Sequence, residues 1–233
     1  MEKNLKSRQS YFTGTEIFLW ISSVMLIIVS FLVFSGDDYF SLMASLIGVT
    51  ALIFIAKGNP LGQLLTVIFS LLYGMISFSC SYYGEMMTYL GMTMPMAIFS
   101  LISWMKNPYD GNKSEVKVNR LKPTDYIVTV VLAVAVTVIF YFILECFDTV
   151  NLIPGTISVT TSFMAVFLTF KRSPFYAVWY AANDIVLIVL WSLAAIKDIS
   201  YLSVVVCFIA FFINDIYGFI NWKRLEKRQA ARV

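Results

Sequence analysis

Lys57-Gly58-Asn59-Pro60 recurs as Lys171-Arg172-Ser173-Pro174, 114 residues further along the chain. Each tetrad sits between two apolar runs. In each, the proline is placed to open the next helix, where its missing N–H costs little. A second echo closes the same units: Trp104-Met105-Lys106 is answered by Trp222-Lys223-Arg224 at a spacing of 118 residues. Together, and in matching order, the two echoes indicate a duplicated helical unit.

Working outward from these motifs, the chain resolves into eight apolar runs. They lie at about 16–35, 39–56, 61–82, 86–105, 124–146, 150–170, 174–196 and 199–222. Runs of roughly 20 apolar residues cross a bilayer as helices. They are continuous rather than alternating, which selects helices over a barrel. Hydrophobic residues make up 59% of the 233 and charged residues only 13%, against about 25% charged in a soluble domain. The expected fold class is all-α, a polytopic membrane protein with about eight transmembrane helices.

Of the 17 Lys and Arg residues, all but Lys197 fall on one side once these runs are threaded through a bilayer. They include Lys3, Lys6 and Arg8 at the start, Lys57, the Lys106–Lys122 cluster, Lys171 and Arg172, and the group from Lys223 to Arg232. The alternate loops carry Asp37, Asp38, Glu85, Asp148 and Asp198. Cytoplasmic loops are enriched in Lys and Arg, so both termini are expected inside. Because the charges sit at span ends, the basic tail reads as a topology signal rather than a nucleic-acid surface. The first run is too long for a typical signal-peptide core and lacks a small-residue cleavage site, so it reads as a retained helix.

The repeat and the span count fit together. Helices two to four form one triple and helices six to eight another, both running from outside to inside. An odd linker, helix five, keeps the two parallel. Parallel repeats of this kind are a transporter design, with the binding site near the midplane between them. The expected division is a cytoplasmic N-terminus with an accessory helix over 1–38, and a first repeat over 39–106. A basic loop and linker helix come next over 107–149, then a second repeat over 150–223 and a basic tail over 224–233.

Several chemistries are excluded. The chain has no histidine, which removes histidine-based catalysis and proton relays. Cys80, Cys146 and Cys207 are isolated and without metal spacing. There is no phosphate-binding loop, and no cofactor is expected.

Ionisable and amide groups within spans mark a functional interior. Asn183-Asp184 in helix seven and Asn214-Asp215 in helix eight stand out. On helix seven, Tyr180, Asn183, Asp184, Leu187 and Trp191 follow helical spacing, with Trp179 on an overlapping face. Asn214 and Tyr217 share a face of helix eight. Gln63, Tyr73 and Trp104 provide similar groups in the first triple, and Glu85 lies at the start of helix four. Amides exchange hydrogen bonds with amides and sugar hydroxyls, while aromatic faces stack on flat rings and attract cations. The set suits a cationic heteroaromatic ring joined to a polyhydroxylated group. The asparagines and aspartates also suit interhelical hydrogen bonding. Trp104, Trp222, Tyr39, Tyr82 and Tyr83 read as an interfacial belt. Trp179 and Trp191 read as site or gate. Pro95 is expected to kink helix four. A membrane-embedded enzyme would use Asp184, Asp215 and Glu85 as acid and base, but no nucleophile or metal motif accompanies them.

The Lys57–Pro60 segment, Gln63, Tyr73-Gly74, the stretch from Tyr83-Gly84-Glu85 to Tyr89, and Trp104-Met105-Lys106-Asn107-Pro108 resemble PnuC-type bacterial vitamin transporters. So do Trp179 through Trp191 and the closing Asn214 to Trp222 segment. The resemblance spans roughly residues 40–225. It implies a 3+1+3 core similar to the SWEET sugar transporters, and a homotrimer in the bacterial cytoplasmic membrane. It also implies facilitated diffusion of nicotinamide riboside, trapped inside by a cytoplasmic kinase; relatives carry thiamine or riboflavin. On the family pattern, substrate is bound by Trp179, Asn183, Trp191 and Asn214, with Gln63 and Tyr73. Asp184 or Asp215 would balance the substrate's charge, beside Tyr217.

Overall fold

The Asn59-Pro60 pair starts a helix for local reasons. The Asn59 side chain accepts the Leu61 N–H at 2.9 Å, and Pro60 occupies the first turn, where no backbone donor is needed. The helix before it ends equally locally. Gly58 takes a left-handed φ of 69°, its N–H reaches the Ile55 carbonyl at 2.8 Å, and the Asn59 N–H reaches Phe54 at 2.9 Å. This is a Schellman ending. Its repeat is built the same way. Arg172 has φ 59°, its N–H reaches Thr169 at 2.9 Å, and the Ser173 N–H reaches Leu168 at 3.0 Å. The tetrads therefore encode the same turn. They differ just beyond it, because Pro174 lies in a further turn and the next helix begins at Tyr176.

The computed structural model describes residues 11–36, 38–149 and 151–231. Lys3, Lys6, Arg8, Asp37 and Arg232, which contribute to the charge bias, lie outside the described residues. Among the described residues, eight helices have membrane-spanning length and composition. They are α1 (Gly14–Phe34), α2 (Tyr39–Ala56), α3 (Pro60–Ser79), α4 (Tyr83–Lys106), α5 (Pro123–Cys146), α6 (Leu152–Phe170), α7 (Tyr176–Ala195) and α8 (Leu202–Ala230). The segment between α4 and α5 forms a hairpin, β1 (Pro108–Tyr109) and β2 (Asn112–Val116). Its two-residue turn, Asp110-Gly111, has positive φ at both positions, 49° and 72°, as a type I′ hairpin requires.

Packing follows the duplication. α3 lies beside α2 and α4; α7 lies beside α6 and α8. The triples meet at α2 against α8 and at α6 against α4, a pairing that maps onto itself when the repeats are exchanged. α5 packs on α6, and α1 on α2 and α8. α1 is fastened by polar contacts. Its capping box joins Thr13 and Glu16, and Glu16 is fully buried and ion-paired with Lys57 at 3.2 Å.

Two expectations are corrected at the basic end of the bundle. Trp104 and Trp222 are not belt residues, being 1% and 0% exposed. Trp104 Nε1–H donates to the Thr169 carbonyl at 3.0 Å and Trp222 Nε1–H to the Ile55 carbonyl at 2.8 Å. Secondly, residues 224–230 are not a free tail but continue α8. Leu225 and Gln229 stay buried there because they meet the segment after the hairpin. Gln229 Oε1 accepts the Val118 N–H at 2.8 Å, its Nε2 donates to the Val116 carbonyl at 3.1 Å, and Arg228 pairs with Glu115. This segment acts as a strap across both repeats. The Val116 N–H donates to the Gly58 carbonyl and the Asn119 N–H to the Arg172 carbonyl, each at 2.9 Å.

Candidate functional site

Helix α4 is not uniformly α-helical. Thr88–Thr93 form a π-helical segment between Tyr83–Met87 and Met94–Lys106. Pro95 stands two residues after it. It has no N–H to offer the carbonyl four residues back, so the regular ladder breaks there. The wider π turn places Tyr89 and Thr93 on one cavity. Such segments recur at functional sites.

The cavity measures about 50 Å³ and lies between the two triples. From the first triple, Thr66 and Phe69 of α3 face Tyr89 and Thr93 of α4. From the second, Tyr180, Asn183 and Asp184 of α7 face Phe208, Phe211 and Asp215 of α8. Gly48 of α2 gives Phe211 and Phe69 their room: a Cβ there would lie 2.4 Å from the Phe211 ring and 3.0 Å from Phe69. Asp184 and Asp215 are each 4% exposed. Asp184 Oδ2 has no hydrogen-bond partner among the described residues. Among those residues, neither Lys nor Arg lines the cavity. Two buried carboxyls, one on α7 and one on α8, with no Lys or Arg lining the cavity among the described residues, suit a cationic ligand.

Asn183 is held in a fixed sense. Its Oδ1 accepts from Thr161 Oγ1 at 2.8 Å and from Ser158 Oγ at 3.2 Å, both on α6. Its –NH₂ end is what remains to meet a ligand.

The other residues picked out in the sequence are distributed differently. Tyr73 and Trp191 form a separate aromatic group beyond Phe69. Trp191 Nε1–H donates to Tyr73 Oη at 2.5 Å, and Tyr82 and Tyr201 pack on the same indole at 5.0 and 5.5 Å. Trp191 is thus packed in an aromatic cluster with its donor already engaged. Tyr82 belongs to this cluster and is 7% exposed, not a belt residue. Asn214 turns away from the cavity. Its Nδ2 donates to Ser23 Oγ of α1 at 2.9 Å and to the Ala210 carbonyl at 2.8 Å. Tyr217 also faces α1, donating to Glu16 Oε1 at 2.9 Å. Trp179 packs beside the hydrophobic groups around Trp104 and around Met92 and does not line the cavity. Gln63 is buried below Thr66, its Nε2 without a partner among the described residues, and it too stands off the cavity. Glu85 is 2% exposed but sits at the opposite end of α4 from Trp104.

Sequence reasoning missed Phe69, Phe208 and Phe211, since phenylalanine toward lipid and toward a cavity look alike in an apolar run. Thr66 and Thr93 had a signal, being hydroxyls spaced by turns from Phe69 and Tyr89.

Two parallel three-helix units around a buried cavity bearing carboxyls are the architecture of a membrane transporter. The chain belongs to the nicotinamide mononucleotide transporter family, whose profile matches residues 38–224. It is 26% identical over 205 residues to a protein of Neisseria mucosa named nicotinamide riboside transporter PnuC, covering 86% of this chain and 78% of that one. A protein of the same name from Haemophilus influenzae is 20% identical over 225 residues, covering 95% and 96%. The fold is similar to the crystal structure of a vitamin B3 transporter PnuC, with a TM-score of 0.81 and 24% identity over 94% of each chain.

Proposed function

We propose that this chain takes up nicotinamide riboside. One observation carries the reading: Asp184 and Asp215 share an aromatic cavity that no Lys or Arg lines among the described residues. Nicotinamide riboside is a pyridinium cation on a neutral sugar. Its ring suits Phe69, Tyr89, Phe208 and Phe211, its charge the two carboxyls, and its amide and hydroxyls Asn183, Thr66 and Thr93. The mononucleotide of the family's description adds a phosphate. In this cavity that phosphate would meet two carboxyls and no base. The relatives named for nicotinamide riboside support the nucleoside over the nucleotide.

The cavity is far below the roughly 300 Å³ of a small-molecule site, so it is a closed state that must expand. The mechanism proposed is alternating access, in which the triples over 39–106 and 150–223 rock about the cavity. The basic ends of the helices face the cytoplasm of a bacterial cell, as charge bias directs. No coupling ion is needed. A singly charged cation gains about 2.3 kcal/mol per 100 mV from the membrane potential, and phosphorylation by a cytoplasmic kinase keeps it inside. The assembly proposed is a homotrimer in the lipid bilayer.

The test is calorimetry on purified protein with nicotinamide riboside, its mononucleotide, thiamine and riboflavin. Nicotinamide riboside should bind tightest, and Asp184→Asn should weaken it while Trp179→Ala does not. Tighter binding of thiamine, also a ring cation, would keep the site and change the substrate. Tighter binding of the mononucleotide would overturn the charge argument.

A further inference from the structure

Two further voids link the central cavity, through shared lining residues, to the end of the bundle away from the strap. The central cavity shares Phe69 and Phe208 with a neck of about 10 Å³. The neck shares Ser41, Ile76 and Val204 with a chamber of about 110 Å³. Ser35, Ser41, Ser200, Tyr201 and Ser203 line the chamber, with Asp38 and, among the described residues, no Lys or Arg. The neck is different. Ala44, Phe69, Ile76 and Phe208 make most of it apolar, and Cys207 stands in its wall.

We propose that this chamber is a second binding site, where a polyhydroxylated cation docks before the central cavity, and that Phe69 and Phe208 are the gate between them. The identity of the cation rests on the function proposed above. Serine hydroxyls rotate to donate or accept, so they replace the water around sugar hydroxyls without demanding one geometry. Asp38 caps α2 through the Ser41 N–H at 3.1 Å and supplies negative potential at the chamber. The apolar neck excludes water and ions while closed, as hydrophobic constrictions do in channels. Its two phenylalanines lean on one support: the Phe69 ring stacks on Tyr73 at 5.5 Å and the Phe208 ring meets Tyr73 edge-on at 5.6 Å. Movement of α3 would carry Phe69 and Tyr73 together away from Phe208 on α8. The chamber mouth is tied across helices, with Ser35 Oγ 2.8 Å from the Ser200 carbonyl and 2.5 Å from Ser203 Oγ.

Cys207 is a native reporter for this path. In a Cys80→Ser, Cys146→Ser background, cells are exposed to a membrane-impermeant cationic methanethiosulfonate. Modification is read by mass and uptake with labelled nicotinamide riboside. The reagent should label Cys207 and block uptake, excess nicotinamide riboside should slow labelling, and Cys207→Ser should remove the sensitivity. Phe208→Ala should speed labelling. The Ser200→Ala, Ser203→Ala pair should raise KM by about tenfold, the weight of one or two hydrogen bonds, with kcat little changed. Intact uptake with Cys207 unlabelled, with or without Phe208→Ala, and an unmoved KM would overturn the path and leave the transport reading standing. Labelling of Cys207 without any uptake of nicotinamide riboside would keep the path and overturn the substrate.

Discussion

The indoles of Trp104 and Trp222 meet with ring centres 5.3 Å apart at an angle of 49°, and each fastens the turn of the other repeat. Trp222 donates to the Ile55 carbonyl, which also accepts the Gly58 N–H. Trp104 donates to the Thr169 carbonyl, which also accepts the Arg172 N–H. Ile55 and Thr169 stand at the same spacing as the two tetrads. The contact is a crossed exchange between repeats, and it closes the bundle at its basic end.

Trp104→Phe and Trp222→Phe should each lower stability by about 1–3 kcal/mol, through one lost hydrogen bond and lost packing. The two effects should be similar in size. Because the rings touch, the double variant should depart from additivity. Thermal unfolding in detergent checks all three.

The carboxyls make a charge-specific prediction. Asp184→Asn and Asp215→Asn should each weaken nicotinamide riboside by at least about tenfold, or 1.4 kcal/mol. Binding of the uncharged dihydro form of the same nucleoside should change far less. Competition binding with the two ligands gives the ratio, and an equal loss for both would show that the aspartates act through shape rather than charge.

Asn214 and Tyr217 bond to α1 and do not line the cavity. Asn214→Ala should cost roughly 0.6 kcal/mol, the average for a hydrogen bond between membrane helices, and leave binding affinity unchanged. Glu16→Gln should weaken the same attachment, since Glu16 meets Tyr217 and Lys57 together. Melting curves and calorimetry on the same preparations separate stability from binding.

The π-helical segment is tied to Pro95. Pro95→Ala restores a donor and lets α4 regularise, which rotates Tyr89 away from Asn183 and Asp184. The variant should be at least as stable as the parent yet transport more slowly. Uptake rates set against melting temperatures test this, and undiminished uptake would mean that the π turn is incidental.

Much of the architecture was legible because lipid imposes length and continuity on each span. The repeat was legible because the same turn chemistry, αL after Lys57 and after Lys171, leaves the same residues behind. Asn183 and Asp184 stood out because polar groups in a span need a reason. What periodicity does not convey is which neighbour a helical face meets. Asn214 and Asp215 are adjacent on α8, yet one turns to α1 and the other to the cavity. Trp104 and Trp222 sit beside basic residues as belt residues do, and only their partners across the repeat bury them. The hairpin had a signal in Asp110-Gly111 flanked by Tyr109 and Asn112, a turn pair favoured for tight hairpins. The continuation of α8 was written in Leu225 and Gln229, one helical turn apart on a face hidden by the strap.

The strap has a mechanical consequence. It grips one turn of each repeat, at the Gly58 and Arg172 carbonyls, through amides only three residues apart. Three residues of fully extended chain reach about 10–11 Å. While both bonds hold, that length is a leash on how far the strapped ends of the two repeats can part. The separation of the repeats at that end is then metered by a stretch of backbone rather than by any residue that lines the cavity.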